Sequence, residues 1–174
     1  MIEKALWFIH GKTASKSNYF LIHLGFILLA LIYFWFFIPY QYFSSWQTLI
    51  FLGVFWDLFG GLIANFTLST KQYWHNQSIG FKEFYLSIHF IQPILLYLVF
   101  GWDLITCVLL LTVTLGLTRW LIVMPKKINN VLSIISCGFL IWALFHFKGY
   151  EVETLILGFG YIAKITLGFL LKWF

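Results

Sequence analysis

Long apolar runs separated by short polar stretches organise this chain. They cover about Tyr19 to Pro39, Trp46 to Leu68, Phe81 to Phe100, Asp103 to Met124, Val131 to Phe147 and Val152 to Leu171. Each is near the roughly 20 residues that a helix needs to cross the hydrocarbon core of a bilayer. A segment in lipid must satisfy its own backbone hydrogen bonds, so each run predicts a helix. The expected fold is all-α: a polytopic transmembrane helical bundle of about six spans, forming one domain over residues 19–174. Residues 1–18 precede it. There Ile2, Ala5, Leu6 and Ile9 fall at helical spacing, with Glu3, Lys4 and His10 mostly opposite, which predicts a short cytoplasmic helix at the membrane interface. The first run ends in Phe-Phe-Ile-Pro-Tyr with no small-residue cleavage pattern, so it reads as a retained helix, not a signal peptide.

Composition narrows the class. Of 174 residues, 61% are hydrophobic and only 10% charged, too few charges to coat a water-soluble surface. The charge pattern then orients the helices. Lys4, Lys12, Lys16, Lys71, Lys82, Arg119, Lys126, Lys127 and Lys172 fall on one side of an alternating six-span scheme, nine of the eleven basic residues. Lys148 lies on the other side, and Lys164 lies within the last run. The positive-inside rule therefore predicts a multi-pass protein of the cell membrane with both termini cytoplasmic. The net charge of +5 reads as contact with anionic lipid headgroups. No nucleic-acid-binding signature is present, and nucleic acid is not an expected partner. Tyr19, Tyr40, Tyr42, Trp46, Trp74, Trp102, Trp120, Tyr150 and Trp173 cluster near span ends, where an aromatic belt is expected.

One stretch departs from the apolar pattern in a way that suggests chemistry. Trp56 to His75 places Asp57, Gly60, Gly61 and Asn65 inside the second run. An acid at that depth is costly, which makes it a functional-site candidate. Asp57, Gly61 and Asn65 recur at i, i+4 and i+8, so they share a helix face, and the glycines invite close approach by a neighbouring helix. The third run follows through a short hairpin and is the expected neighbour. Counting about 1.5 Å per residue from the hairpin brings Pro93 level with Asp57, Gln92 one step away, and His89 opposite Gly61. Pro93 frees the carbonyl four residues back, at His89. Lys164 either pairs with Asp57 or snorkels to the headgroups, with snorkelling the favoured reading. Arg119 and Glu83 are expected to form an interfacial ion pair.

Three functions follow as expectations. The first is movement of a small solute or proton, with Asp57 as carrier, His89 and Gln92 coordinating, Asn65 as gate, and Gly60, Gly61 and Lys164 completing the site. The second is an intramembrane enzyme acting on a lipid or isoprenoid, with Asp57 and His89 as acid and base. The third is a non-catalytic subunit, in which these groups hold helices together or dock a membrane protein or a second copy of the chain. Nothing in the sequence identifies a cofactor. His23, His75, Cys107 and Cys137 do not show the spacing of a metal site, and no hydrolase or phosphate-binding motif occurs.

Overall fold

A computed structural model describes residues 14–37, 44–146 and 152–169. The interfacial segment expected before residue 14, the belt residues Tyr40, Tyr42, Tyr150 and Trp173, and Lys148 and Lys172 lie outside them. The described chain is helical with no strand. The helices are α1 (Lys16–Phe37), α2 (Ser45–Asn65), α3 (Leu68–His75), α4 (Ile79–Phe100), α5 (Leu104–Ile122), α6 (Lys126–His146) and α7, which runs over Val152–Ala163 and continues over Lys164–Phe169. By length and composition, α2, α4 and α5 are each able to cross a membrane, and α1 and α7 carry shorter apolar stretches, Lys16–Ile32 and Leu155–Gly168. The outer surface suits lipid: Leu28 and Leu31 on α1, and Ile134, Phe139 and Phe145 on α6, are all exposed.

Local chemistry explains where the helices stop. Ser44 opens α2 through a capping box with Gln47, and Asp103 opens α5 by accepting from the Thr106 backbone. Gly101, with φ of 68°, makes the left-handed turn that ends α4. Asn129 Nδ2 donates to the Leu121 carbonyl at 2.6 Å, satisfying an end group of α5 from the first turns of α6.

Two expectations about the connections need correction. The link between the second and third runs is not a bare hairpin. Thr67 adopts an extended backbone and its hydroxyl donates to the Ala64 carbonyl at 2.7 Å, which ends α2 and starts the eight-residue α3. This short helix buries Ser69, Thr70, Lys71 and Trp74. Lys126 and Lys127 are likewise not loop residues but open α6, five residues before the predicted start of that span. Pro125 explains the shift, because proline suits the position just before a helix that needs no donor from it. The aromatic belt is also only partly peripheral: Trp46 and Trp120 are exposed, whereas Trp74 and Trp102 are buried.

The core lies along α2 and α7. Phe51, Phe55 and Leu58 of α2 share one buried cluster with Leu157, Tyr161 and Ile165 of α7, Leu96 of α4, Leu110 and Leu121 of α5 and Cys137 of α6. α7, not α4, is the helix that packs most intimately on the polar half of α2. The approach depends on glycine. A Cβ on Gly160 would stand 2.9 Å from the Phe59 ring, and one on Gly25 of α1 would stand 2.9 Å from Ile63 Cδ1. We therefore expect Gly160→Ala to cost about 1–3 kcal/mol by overpacking. Gly53→Ala, where a Cβ meets nothing within 4 Å, should instead be neutral or slightly stabilising, since alanine favours the helix. Chemical unfolding in detergent compares the two; equal costs would show that the glycine contact does not set the α2–α7 distance.

Candidate functional site

The polar half of α2 is not wound as a regular α-helix. Over Trp56–Gly60 it widens into a π-helical turn, and α-helical winding resumes over Gly61–Asn65. α7 widens in the same way over Lys164–Phe169. Such turns are uncommon and tend to occur where function requires a side chain to be re-aimed. Here one holds Asp57 and the other Lys164. Lys164 Nζ donates to Asp57 Oδ1 at 2.8 Å.

Lys164 does not snorkel. The residue is 1% exposed, so its stem and ammonium both run inward. Gly61 is the reason: a Cβ there would lie 2.7 Å from Lys164 Cε and 3.1 Å from Nζ. The missing side chain is the space the lysine occupies. The notch at Gly61 thus receives Lys164, not His89 as depth counting predicts. Gly60 makes no comparable notch, since a Cβ there would meet only Trp56 of its own helix at an ordinary 3.5 Å.

Gln92 reaches the acid, as its predicted depth implies. Its Nε2 donates to Asp57 Oδ2 at 2.5 Å, while its Oε1 is buried without a partner among the described residues. The carboxylate is therefore gripped on both oxygens, by α7 on one and α4 on the other. Asn65 is buried and packs against Gly168 of α7, where a Cβ would come within 3.1 Å of Asn65 Nδ2. His89 is also buried and lies close enough for the charges of Asp57 and Lys164 to act on it, but its Nδ1 is turned to its own helix. It sits where α4 is interrupted, with His89 and Phe90 donating backbone bonds to Leu86 and Ser87, three residues back. Pro93 imposes this break, because its ring and missing N–H disturb the turn that begins at His89. His89 Nδ1 lies 2.9 Å from the Tyr85 carbonyl, so that nitrogen carries the proton. The ring packs edge-on against Tyr85, with centroids 4.7 Å apart. No hydrogen bond joins His89 to Asp57 among the described residues.

Asp57, Gly60, Gly61, Asn65 and Lys164 line a narrow, open cleft, whereas Gln92 and His89 do not reach its wall. Ile22 of α1 and Tyr85 of α4 flank it, Trp56, Asp57 and Asn65 contribute from α2, and Lys164 lies at its base. The side chain of Asp57 is 44% exposed while that of Lys164 is 1% exposed, so the cleft presents the acid and hides the base. Trp56 and Tyr85 are site residues that the sequence does not single out. Their proximity in sequence to Asp57 and His89 was the available signal. Among the described residues, no group of three His, Cys, Asp or Glu side chains stands close enough to hold a metal ion. His23 is exposed on α1, its ring parallel to that of Trp56 with centroids 6.5 Å apart, and His75 is exposed at the end of α3. Arg119 and Glu83 form their expected pair at 3.6 Å, on α5 and α4, with both side chains substantially exposed.

A second buried lysine braces the same turn of α7. Lys71, expected in a loop, is 8% exposed and its Nζ donates to the Gly168 carbonyl at 2.7 Å. Burial pushes its pKa down to about 7. Asn18 Nδ2 of α1 donates to Ser69 Oγ nearby at 3.1 Å, tying α3 to the first helix as well. Comparison with protein-family models, curated proteins and solved structures finds no match to this chain.

Two outcomes follow for stability. Gly61→Ala and Lys164→Met should be non-additive, with a coupling of about 1–3 kcal/mol, because the alanine displaces the very side chain that the methionine replaces. Additive costs in a double-mutant cycle would mean that Gly61 and Lys164 act independently. For Lys71, the unfolded chain keeps its proton up to about 10.5 and the folded chain releases it near 7. Stability should thus rise with pH between those values, by up to about 1.4 kcal/mol per unit. Lys71→Met should flatten that rise; a variant with the wild-type slope would show that another group causes it.

Proposed function

We propose that this chain is a multi-pass protein of the cell membrane that moves a small solute or a proton through the site at Asp57. The observation that carries the reading is the asymmetry of the ion pair. A pair whose only task is to hold helices together gains from being closed on both sides, since water or lipid at one side weakens it or leaves it unmatched. Asp57 is instead open to a cleft while its partner is wholly enclosed. A carboxylate in that position has three competing partners: the Lys164 ammonium, a proton, and whatever occupies the cleft. Exchange among them is the elementary step of coupled movement. Gln92 holds the carboxylate in place during the exchange, and Asn65 lies where the cleft meets the end of α2.

The same geometry supports a six-span arrangement with both termini cytoplasmic. Setting aside the short α3 leaves six long helices, and α3 then lies on the lysine-rich side with Lys71. Asp57 stands eight residues from the α2 end at Asn65, or about 12 Å at 1.5 Å per residue, a depth that in this proposed arrangement corresponds to the cytoplasmic half of the bilayer. Surrounding lipid is the expected environment, and no hydrogen bond among the described residues joins Asp57 to His89 as the acid–base pair that an enzyme would use.

The test is proton flux into liposomes containing the purified protein, read with an enclosed pH-sensitive dye across a range of candidate solutes. Asp57→Asn should lower flux at least tenfold with the protein still folded, and Asp57→Glu should restore part of it. Flux in Asp57→Asn equal to wild type would remove Asp57 as the carrier, and a stability loss of several kcal/mol without any flux in wild type would identify the pair as helix glue.

A further inference from the structure

A second polar place lies on the outside of the bundle, away from Asp57. We propose that the groove between α4 and α5 at Glu83 and Arg119 binds the headgroup of a zwitterionic phospholipid with a primary ammonium, the phosphate on Arg119 and the ammonium on Glu83. This rests on the membrane reading above and not on the transport reading.

The two charges are paired only loosely. Arg119 Nε stands 3.6 Å from Glu83 Oε1, beyond the reach of a good hydrogen bond. The Asp57–Lys164 contact, by contrast, closes to 2.8 Å. A guanidinium engaged for structure grips a carboxylate with two parallel N–H groups. Here, among the described residues, the terminal guanidinium nitrogens and Glu83 Oε2 have no partner, and the side chains are 61% and 35% exposed.

Between these charges the helices leave room. The groove holds about 90 Å³ and is walled by Leu86 and Ser87 of α4 and Leu115 and Gly116 of α5. A Cβ on Gly116 would meet nothing within 4 Å. Unlike Gly61 and Gly160, this glycine receives no neighbouring side chain, so its bareness keeps the groove open. Glu83 is four residues from the α4 start at Ile79, and Arg119 three from the α5 end at Ile122. At 1.5 Å per residue both lie about 5–6 Å from a helix end, which is headgroup level in the proposed arrangement. Further inward, Ile91 and Ile94 of α4 and Val108 and Ile105 of α5 are exposed and apolar, a surface for acyl chains.

The presence of both signs selects the headgroup. The guanidinium fork matches two phosphate oxygens. Glu83 then needs a donor close to that phosphate, and an ammonium two carbons away supplies one. A choline head carries no N–H and is bulkier. An anionic lipid satisfies Arg119 but leaves its own charge beside an unmatched carboxylate.

The test is native mass spectrometry of the purified full chain released from detergent, with phosphatidylethanolamine, phosphatidylcholine and phosphatidylglycerol of identical acyl chains supplied equally. One phosphatidylethanolamine per chain should be retained, with the other two lipids about tenfold weaker, the usual loss for one charge-assisted hydrogen bond. Arg119→Gln should abolish this preference, and Glu83→Gln should bring phosphatidylglycerol level. Gly116→Leu fills the groove without touching the ion pair and should also lower retention about tenfold. Thermal unfolding checks that each variant is folded. Equal retention of the three lipids, or a preference that survives Gly116→Leu or Arg119→Gln, would overturn the assignment. Displacement by phosphoethanolamine as effective as by the whole lipid would do so too, since the ligand would then be a free phosphate compound. A chain that stays dispersed in water without detergent would remove the membrane reading itself, and this inference with it.

Discussion

An ammonium enclosed by apolar helices must have a counter-charge within reach, and most of what is unusual in this bundle follows from that requirement. Lys164 is among the largest fully buried side chains of the protein. Removing a charge from water at such a position is tolerable only beside an opposite charge with good geometry. The requirement explains the acid on α2, the vacancy at Gly61 that lets the lysine stem pass, and the wide turns on both helices that bring the two groups face to face. It also explains the glutamine on α4, since a carboxylate in a low-dielectric setting has a second oxygen to satisfy, and Gln92 Nε2 does so.

The pair is not isolated from the rest of the fold. The wide turn that starts at Lys164 ends near Gly168, and Gly168 is held from two directions. Asn65 of α2 packs against it, and Lys71 of α3 bonds to its carbonyl. The short helix α3 therefore acts as a brace on the segment that aims Lys164, and it is itself tied to α1 through Asn18 and Ser69. Four helices thus share in fixing one ammonium group.

How much of this could be read from the chain alone depends on the range of each interaction. The all-helical, membrane-suited architecture is legible because apolar runs of about twenty residues have few other uses. Asp57 and Gln92 are legible because a polar group in such a run stands out, and because α2 and α4 are near neighbours in sequence, so depth counting applies. The role of Lys164 is less legible. It lies 107 residues from its partner, and no local pattern says that α7 packs on α2. Snorkelling is the sound default for a lysine near a span end, and only the vacancy at Gly61 reverses it. Lys71 is hard to read for a related reason: a lysine in a polar stretch reads as a surface charge until a helix such as α3 folds it against the end of another.

The widened turn at Trp56–Gly60 has an implication for how such a site can arise and be lost. A π-helical turn holds one residue more than the α-helical turn it replaces, and each residue of an α-helix advances the face by about 100°. Deleting a single residue from this segment would leave an unbroken helix of the same apolar character, still able to span and still able to pack. Yet Asp57 and Gly61 could no longer keep their present relation to one another across the turn, and the lysine would lose either its passage or its partner. The distance between a polar site and an inert bundle is thus one codon.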